Sequence, residues 1–300
     1  MNVFKTKAGK NESIELTKEN FIKYTKKIEP YFQGVGKDEK HYAVCPLCDN
    51  PITIVGLYKN EKGQKLHGRH FKDINGLCAE IATYDEAAYE NCPYANPNSK
   101  SEVIRPKDNE TGRALYDLMR KHFDKVVYIL EKTLKLKISL AYAEKLLSFY
   151  AANEGWRFYE ATYDNLPFFL MYGRGAEPIY KKRILEGSEI YNTLKEDDNV
   201  NLVKEIVNET PTGYYIVENK ENQFLDYTYI LSEHKYVLED DELTEYFTFD
   251  ISSGNAAFDT LKDIHKHKIK VDPNYLRNLI NYKEWKPNRK LLDIAEKIMG

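Results

Sequence analysis

From Leu115 to Leu130 the apolar side chains Leu115, Leu118, Met119, Phe123, Val126, Val127 and Leu130 recur every three or four positions. That spacing predicts one long amphipathic helix. A second helix is expected in "ISLAYAEKLLSFYAAN", with Ser139 placed as its cap, so residues 112–153 read as a helical hairpin. Nearer the start, Phe21, Ile22, Thr25 and Ile28 keep helical spacing, with Thr17 at the cap position and Pro30 as the stop. The pattern then changes, because "ITIVGLY" and "LHGRHF" flank the polar "KNEKGQ" and predict a β-hairpin. Thr83 and Glu86 have capping-box spacing ahead of a short helix that delivers the chain to Cys92. Residues 96–111, rich in Pro, Asn and Ser, read as a linker between an N-terminal unit (1–95) and a larger one (112–300).

Short aromatic and β-branched runs such as "GYYIVENK", "FLDYTYILSE", "KYVLED" and "EYFTFDIS" predict a mostly antiparallel sheet over about 166–252. Beyond it, "NAAFDTLKDIHKH", "DPNYLRNLINYKEW" with Asp272 and Pro273 at its start, and "PNRKLLDIAEKIMG" read as helices over about 255–299. The expected class is α+β, with an N-terminal zinc-ribbon or treble-clef-like module.

Composition sharpens this picture in two places. Four cysteines in 300 residues are too few for a disulfide scaffold, and all lie between positions 45 and 92. The net charge of −3 hides an asymmetry: residues 184–250 hold 17 acidic against 4 basic side chains, leaving the rest of the chain at +10. No apolar run reaches the roughly 18 residues of a membrane helix, and the first residues are polar, so a soluble cytoplasmic protein is expected.

Cys45, Pro46, Leu47 and Cys48 form a Cys-x-x-Cys knuckle, a turn that points two thiolates at one spot and supplies half of a tetrahedral zinc site. Candidates for the other half are His67, His70, Cys78 and Cys92. His67 and His70, three apart on a strand, face opposite sides, so only one can turn to the knuckle. His70, beside Phe71, and Cys92, before Pro93, complete the expected set Cys45, Cys48, His70, Cys92, with Cys78 and His67 as substitutes. The ion is expected to be structural, because "HGRH" lacks the glutamate of a catalytic His-Glu-x-x-His helix.

The residues Cys45, Pro46, Cys48, Pro51, His70 and Phe71 distantly resemble the zinc-ribbon front end of competence-type CoiA proteins, where a Cys-Pro-x-Cys knuckle precedes a Pro, a hairpin and a His-Phe pair. The resemblance spans about 35 residues and ends after Phe71, where Lys72 and Asp73 replace Ala and His. It implies a nuclease core, whose Mg²⁺ site needs two acidic residues and a lysine; the nearest arrangement here is Asp197 or Asp198 with Glu218 and Lys220. That set defines an alternative reading, a metal-dependent nuclease or other nucleic-acid-processing enzyme.

Other chemistry is sparse. "GRG" at 173–175 lacks the context of a phosphate loop, no nucleophile elbow occurs, and His234 with Asp226 and Glu233 has no nucleophile beside it. On a helix His265 and His267 would fall on different faces. Lys59, Lys62, Lys65, Arg69 and Lys72 around the hairpin offer a nucleic-acid contact. The acidic stretch, interleaved with tyrosines, points instead to a basic protein partner met through Tyr227, Tyr229, Tyr236, Asp240, Asp241 and Glu242. The leading expectation is a non-enzymatic zinc-containing adaptor or inhibitor, of the kind mobile elements encode, that docks a nucleic-acid-handling protein.

Overall fold

The computed structural model describes residues 1–58, 65–97, 104–220, 225–239, 242–254 and 261–300. Two two-residue strands, β1 (Val3–Phe4) and β2 (Ile14–Glu15), lead into α1 (Lys18–Thr25). Thr17 caps α1 by accepting from the Asn20 amide, and Lys26 in the left-handed conformation ends it. Eight residues cannot hold a helix by propensity alone. Phe21 holds it, buried with its ring centroid 5.3 Å from Phe4 and 5.5 Å from Phe32.

Strands β3 (Phe32–Gln33), β4 (Lys40–Val44), β5 (Pro51–Val55) and β6 (His67–His70) then form an antiparallel sheet in sequence order. The β5–β6 hairpin is the predicted one. Met1 lies along β6, where Gly68 donates to its carbonyl at 2.9 Å. A Cβ on Gly68 would stand 2.9 Å from Ile52 Cδ1 and 3.1 Å from Met1 Cγ, so a larger residue here would have to displace those side chains. Helix α2 (Glu86–Glu90) follows, capped by Asp85 and not by Thr83. Asp85 takes the cap because the buried side chain of Asn50 already holds its backbone amide, at 2.7 Å.

The predicted linker contains a buried anchor. Residues 98–103 lie outside the described set, but Arg105 is enclosed, its guanidinium donating to the carbonyls of Trp156, Phe158, Tyr159 and Ala161. Arg105, satisfied by four carbonyl groups, thus ties the chain just ahead of residue 106 to the 156–161 segment.

Helices α3 (Glu110–Leu134) and α4 (Leu140–Ala152) match the two predicted helices, with Asn109 and Ser139 as caps, but they do not pack along each other as the expected hairpin would. Both pack on the last helix, α8 (Arg289–Met299), with α7 (Tyr275–Asn281) ahead of it. α3 kinks at His122, next to Asp124, whose buried carboxylate accepts from Trp285 Nε1 at 2.8 Å and from the Asn288 amide at 3.1 Å. The kink thus locks α3 to the turn before α8. α7 starts later than predicted, with Asp272 bonding the Asn274 amide instead of capping the helix.

The single acidic sheet expected over 166–252 is two sheets with helices between. After α5 (Leu166–Phe169), β7 (Glu177–Pro178) and β8 (Arg183–Leu185) go to different sheets, and α6 (Glu189–Lys195) precedes β9 (Val200–Val207) and β10 (Thr210–Asn219). One sheet runs β8-β10-β9 and the other β13-β12-β11-β7, where β11 is Thr228–Glu239, β12 Glu242–Ser253 and β13 Lys262–Lys270.

Strand β13 replaces the predicted helix over 262–267; residues 255–260 of that prediction lie outside the described set. Along β13, His265, His267 and Ile269 are the less exposed positions and Lys266, Lys268 and Lys270 the exposed ones. The period is two, but histidines at inward positions hide it from a reading of apolar spacing. His265 and His267 therefore share a face, their rings parallel at 6.3 Å.

A buried polar cluster joins α5 to the second sheet. A bulge at Glu233, which has φ 46°, turns His234 inward. His234 Nε2 lies 2.5 Å from Glu245 and Nδ1 3.7 Å from Glu160, with the imidazole stacked on Phe247 at 4.4 Å. Asp226 and Glu233, its partners expected from sequence, are elsewhere: Glu233 pairs with Lys235 and Lys266. Burial opposes the charge on His234, but its bonds to Glu160 and Glu245 outweigh that cost and raise its pKa to about 9. Asp164 is likewise raised to about 7, by burial first and by Glu245, against the pull of Arg277.

Both shifts carry the same sign. The folded state keeps the His234 proton above its ordinary 6.5, so this stabilisation is complete below pH 6.5 and is lost towards pH 9. The folded state also holds the Asp164 proton from its ordinary 3.8 up to about 7, so the cost of the buried carboxylate grows over that range. Denaturant unfolding should therefore give stability falling by on the order of 2 kcal/mol between pH 6 and 9. His234→Gln should be less stable at pH 6 and lose most of that slope.

Candidate metal centre

Cys45 follows the last residue of β4, and its amide donates to the Asn50 carbonyl at 2.9 Å while its carbonyl accepts from the Asp49 amide at 3.2 Å. These bonds close the knuckle. The tight return needs a residue at positive φ, supplied by Asp49 at 61°. His70 ends β6 opposite Ile52, and Cys92 leaves α2 with its amide bonded to the Tyr89 carbonyl at 3.1 Å. A strand end, a hairpin end and a helix end thus converge.

They bring Cys45, Cys48, His70 and Cys92 together, one donor atom each, all within 4.8 Å of one another. Cys45 Sγ lies 3.8 Å from Cys92 Sγ, and Cys48 Sγ lies 3.3 Å from His70 Nε2. The edges of a tetrahedron around an ion with metal–sulfur bonds of ~2.3 Å would be ~3.8 Å long, so the donors already stand at ligating separations. No disulfide links them. The four residues fit a metal ion, and among the described residues they are the one such group of His, Cys, Asp or Glu.

Electrostatics point the same way. Burial pushes up all three thiols; at Cys45 the hydrogen bonds of Cys48 and Cys92, with the His70 ring, overcome it and hold that thiol well below its usual range. Cys48 and Cys92 are raised well above theirs, by burial first and then by Cys45. On its own, then, the cluster favours a single thiolate. A bound cation is what would let the other two ionise.

The substitutes lie apart. His67 Nδ1 meets the Lys65 carbonyl at 2.9 Å. Cys78 is buried with Tyr42, Val44, Ile81 and Ala82, its thiol pushed up to about 12 by burial and then by Asp73. It packs as a small apolar side chain.

Two residues missed in the sequence connect this centre to the rest. Asn50 reaches the Asp85 carbonyl at 2.9 Å and approaches Cys48 Sγ at 3.6 Å, coupling the knuckle to the helix that presents Cys92. Asp49 forms a buried ion pair with Lys5 and accepts from the Gly9 amide at 3.1 Å and from Thr111 at the start of α3. Tyr163 closes the group at 3.5 Å. The signal lay in "CDNP", three turn-forming residues directly after the second cysteine.

The other sequence-predicted residues lie away from this cluster. Asp198 is fully exposed and 3.6 Å from Lys220, while Glu218 pairs with Lys181. Tyr227 and Tyr229 are core residues, the Tyr227 hydroxyl bonding Asp197 at 2.7 Å, so neither can present a docking face. Tyr236 is half-buried, with its hydroxyl 3.3 Å from Asn165, and Glu242 is exposed. Asp240 and Asp241 lie outside the described residues, as do Lys59 and Lys62; Lys65 and Arg69 are exposed, and Lys72 pairs with Glu86. No helix among the described residues is long and apolar enough to cross a membrane. No family model, curated protein or solved structure matches the chain.

Elemental analysis should find about one transition-metal ion per chain. It should be lost in Cys45→Ser and His70→Ala and kept in Cys78→Ser. Separately, Asp49→Ala would leave the Lys5 ammonium buried without a counter-charge. It should cost on the order of 3–5 kcal/mol in urea unfolding, with the Lys5→Met, Asp49→Ala double variant recovering part of it.

Proposed function

We propose that this chain is a non-enzymatic binding protein, with a structural zinc ion closing its N-terminal module and a basic protein partner docking on acidic hairpin ends. Three thiolates and an imidazole are a donor set zinc prefers, and four protein ligands leave no position for a substrate or an activated water. The order knuckle, hairpin, later ligands is that of a zinc ribbon.

The observation that carries the docking reading is the β9–β10 hairpin. Val207 and Thr210 pair across Asn208 and Glu209, both at positive φ, the geometry of a type I′ turn. On the edge strand β9, Ile206 and Val207 keep 59% and 52% of their surface in water. Adjacent exposed β-branched residues on an unpaired edge are a pairing hazard unless a partner covers them. Glu209 stands in the turn beside them, and the β11–β12 hairpin repeats the pattern with Val237 and Leu238 beside Glu239 and Glu242. Apolar anchors within a negative rim suit a partner with a basic rim around an apolar patch. The core position of Tyr227 and Tyr229 moves the expected surface from the sheet face to these hairpin ends.

Cross-linking and affinity capture from the native host at low salt, compared between wild type and a Glu209→Lys, Glu239→Lys, Glu242→Lys variant, tests this. A basic protein should cross-link to β9 or to the β11–β12 end and bind the variant roughly tenfold more weakly, with metal content unchanged. Equal capture by both proteins, or cross-links that avoid both hairpins, would refute the docking surface.

A further inference from the structure

Between the end of α4 and α5 lies a cavity of about 330 Å³ that the metal centre and the hairpins leave untouched. Its walls are aromatic, from Phe149, Tyr150, Phe158, Phe169 and Tyr172. Glu160 is the one charged residue among the described residues that line it. The chain crosses the Tyr150 ring at Gly155, where a Cβ would come within 2.3 Å of a ring carbon, so the wall is set by direct backbone-to-ring packing. The Tyr150 hydroxyl is buried and has no hydrogen-bond partner.

The charges around the cavity are unevenly paired. His234 is 2.5 Å from Glu245 but 3.7 Å from Glu160, so one imidazolium is shared by two carboxylates and lies nearer the one away from the cavity. Glu160, at the cavity wall, is left the more weakly paired of the two. One ring of the wall already accepts a cation: the Arg174 guanidinium carbon sits 5.0 Å over Phe149, and Glu177 pairs with both Arg174 and Lys145. Aromatic walls attract a cation through the negative faces of the rings, and a carboxylate adds the opposite charge. A primary ammonium would also need acceptors for its three N–H groups. A methylated ammonium makes no such demand.

We propose that this cavity binds a quaternary ammonium head group, carried either by a free amine or by a trimethylated lysine side chain. The site stands independently of the hairpin docking surface, and the charge-reversal variant there should leave it intact.

A ligand-observed NMR titration of the full chain tests the site, using choline, its neutral isostere 3,3-dimethylbutan-1-ol, and two short peptides that differ only in lysine against trimethyllysine. Choline should saturate, and the isostere should bind at least roughly tenfold more weakly. Glu160→Gln should remove most of that preference, and Phe158→Leu, at the more exposed wall, should weaken choline several-fold, both with native circular dichroism. Tighter binding of the trimethyllysine peptide than of choline would identify a polypeptide source, and the reverse a free amine. The proposal fails if no cation saturates, if the isostere binds as tightly as choline, if the unmodified lysine peptide binds best, or if folded Glu160→Gln binds choline like the wild type.

Discussion

Three thiols and an imidazole buried within 4.8 Å of one another are a constraint before they are a site. Each thiolate placed there loses its hydration, and each after the first also meets the charge of its neighbour. Burial and the neighbouring sulfurs hold Cys48 and Cys92 well above the usual thiol range, so the cluster resists full ionisation. A divalent cation changes the sign of that balance, because it turns mutual repulsion into shared attraction and gives three separate chain segments a common anchor. Strand β4, strand β6 and helix α2 also meet an apolar cluster that includes Phe4, Phe21, Ile52 and Ala88, and a bound ion would add a covalent-like tie among them.

The knuckle also faces outward to the rest of the molecule. Asp49 at its tip contacts Lys5, Gly9, Thr111 and Tyr163, which come from the first strand, the loop after it, the start of α3 and the segment before α5. Arg105 binds the carbonyls of the same 156–161 segment from its other side. The N-terminal unit is therefore joined to the helical unit through satisfied buried charges, which specify one arrangement more sharply than an apolar contact of the same area would.

Much of this was legible in the sequence, and the failures share a cause. Helices α3, α4 and α8 and the ligands Cys45, Cys48, His70 and Cys92 could be read because apolar period and ligand spacing are local properties. Strand β13 was hidden because its inward positions carry His265 and His267, polar residues where an alternating strand would show apolar ones. The split of the acidic region into two sheets was hidden because β7 and β8, only a few residues apart, join different neighbours. Nothing local marks which long-range partner a short strand will take. Tyr227 and Tyr229 read as surface anchors because a tyrosine's ring and hydroxyl suit both settings, and only the fold decides between them.

Charge, too, is organised by pairing across strands. The basic strand β13 lies beside β12, and Lys266 meets both Glu233 and Asp250, so part of the acidic surplus is neutralised within the sheet. Glu209, Glu239 and Glu242 at the hairpin ends stay exposed. The proposed zinc ion would tie the N-terminal unit together at Cys45, Cys48, His70 and Cys92. X-ray absorption at the zinc K-edge of the purified full chain tests this most directly. The spectrum should show a first shell of three sulfur atoms at ~2.3 Å and one nitrogen at ~2.0 Å. A chain that is folded with no metal edge, or an ion bound only by oxygen and nitrogen donors, would contradict it.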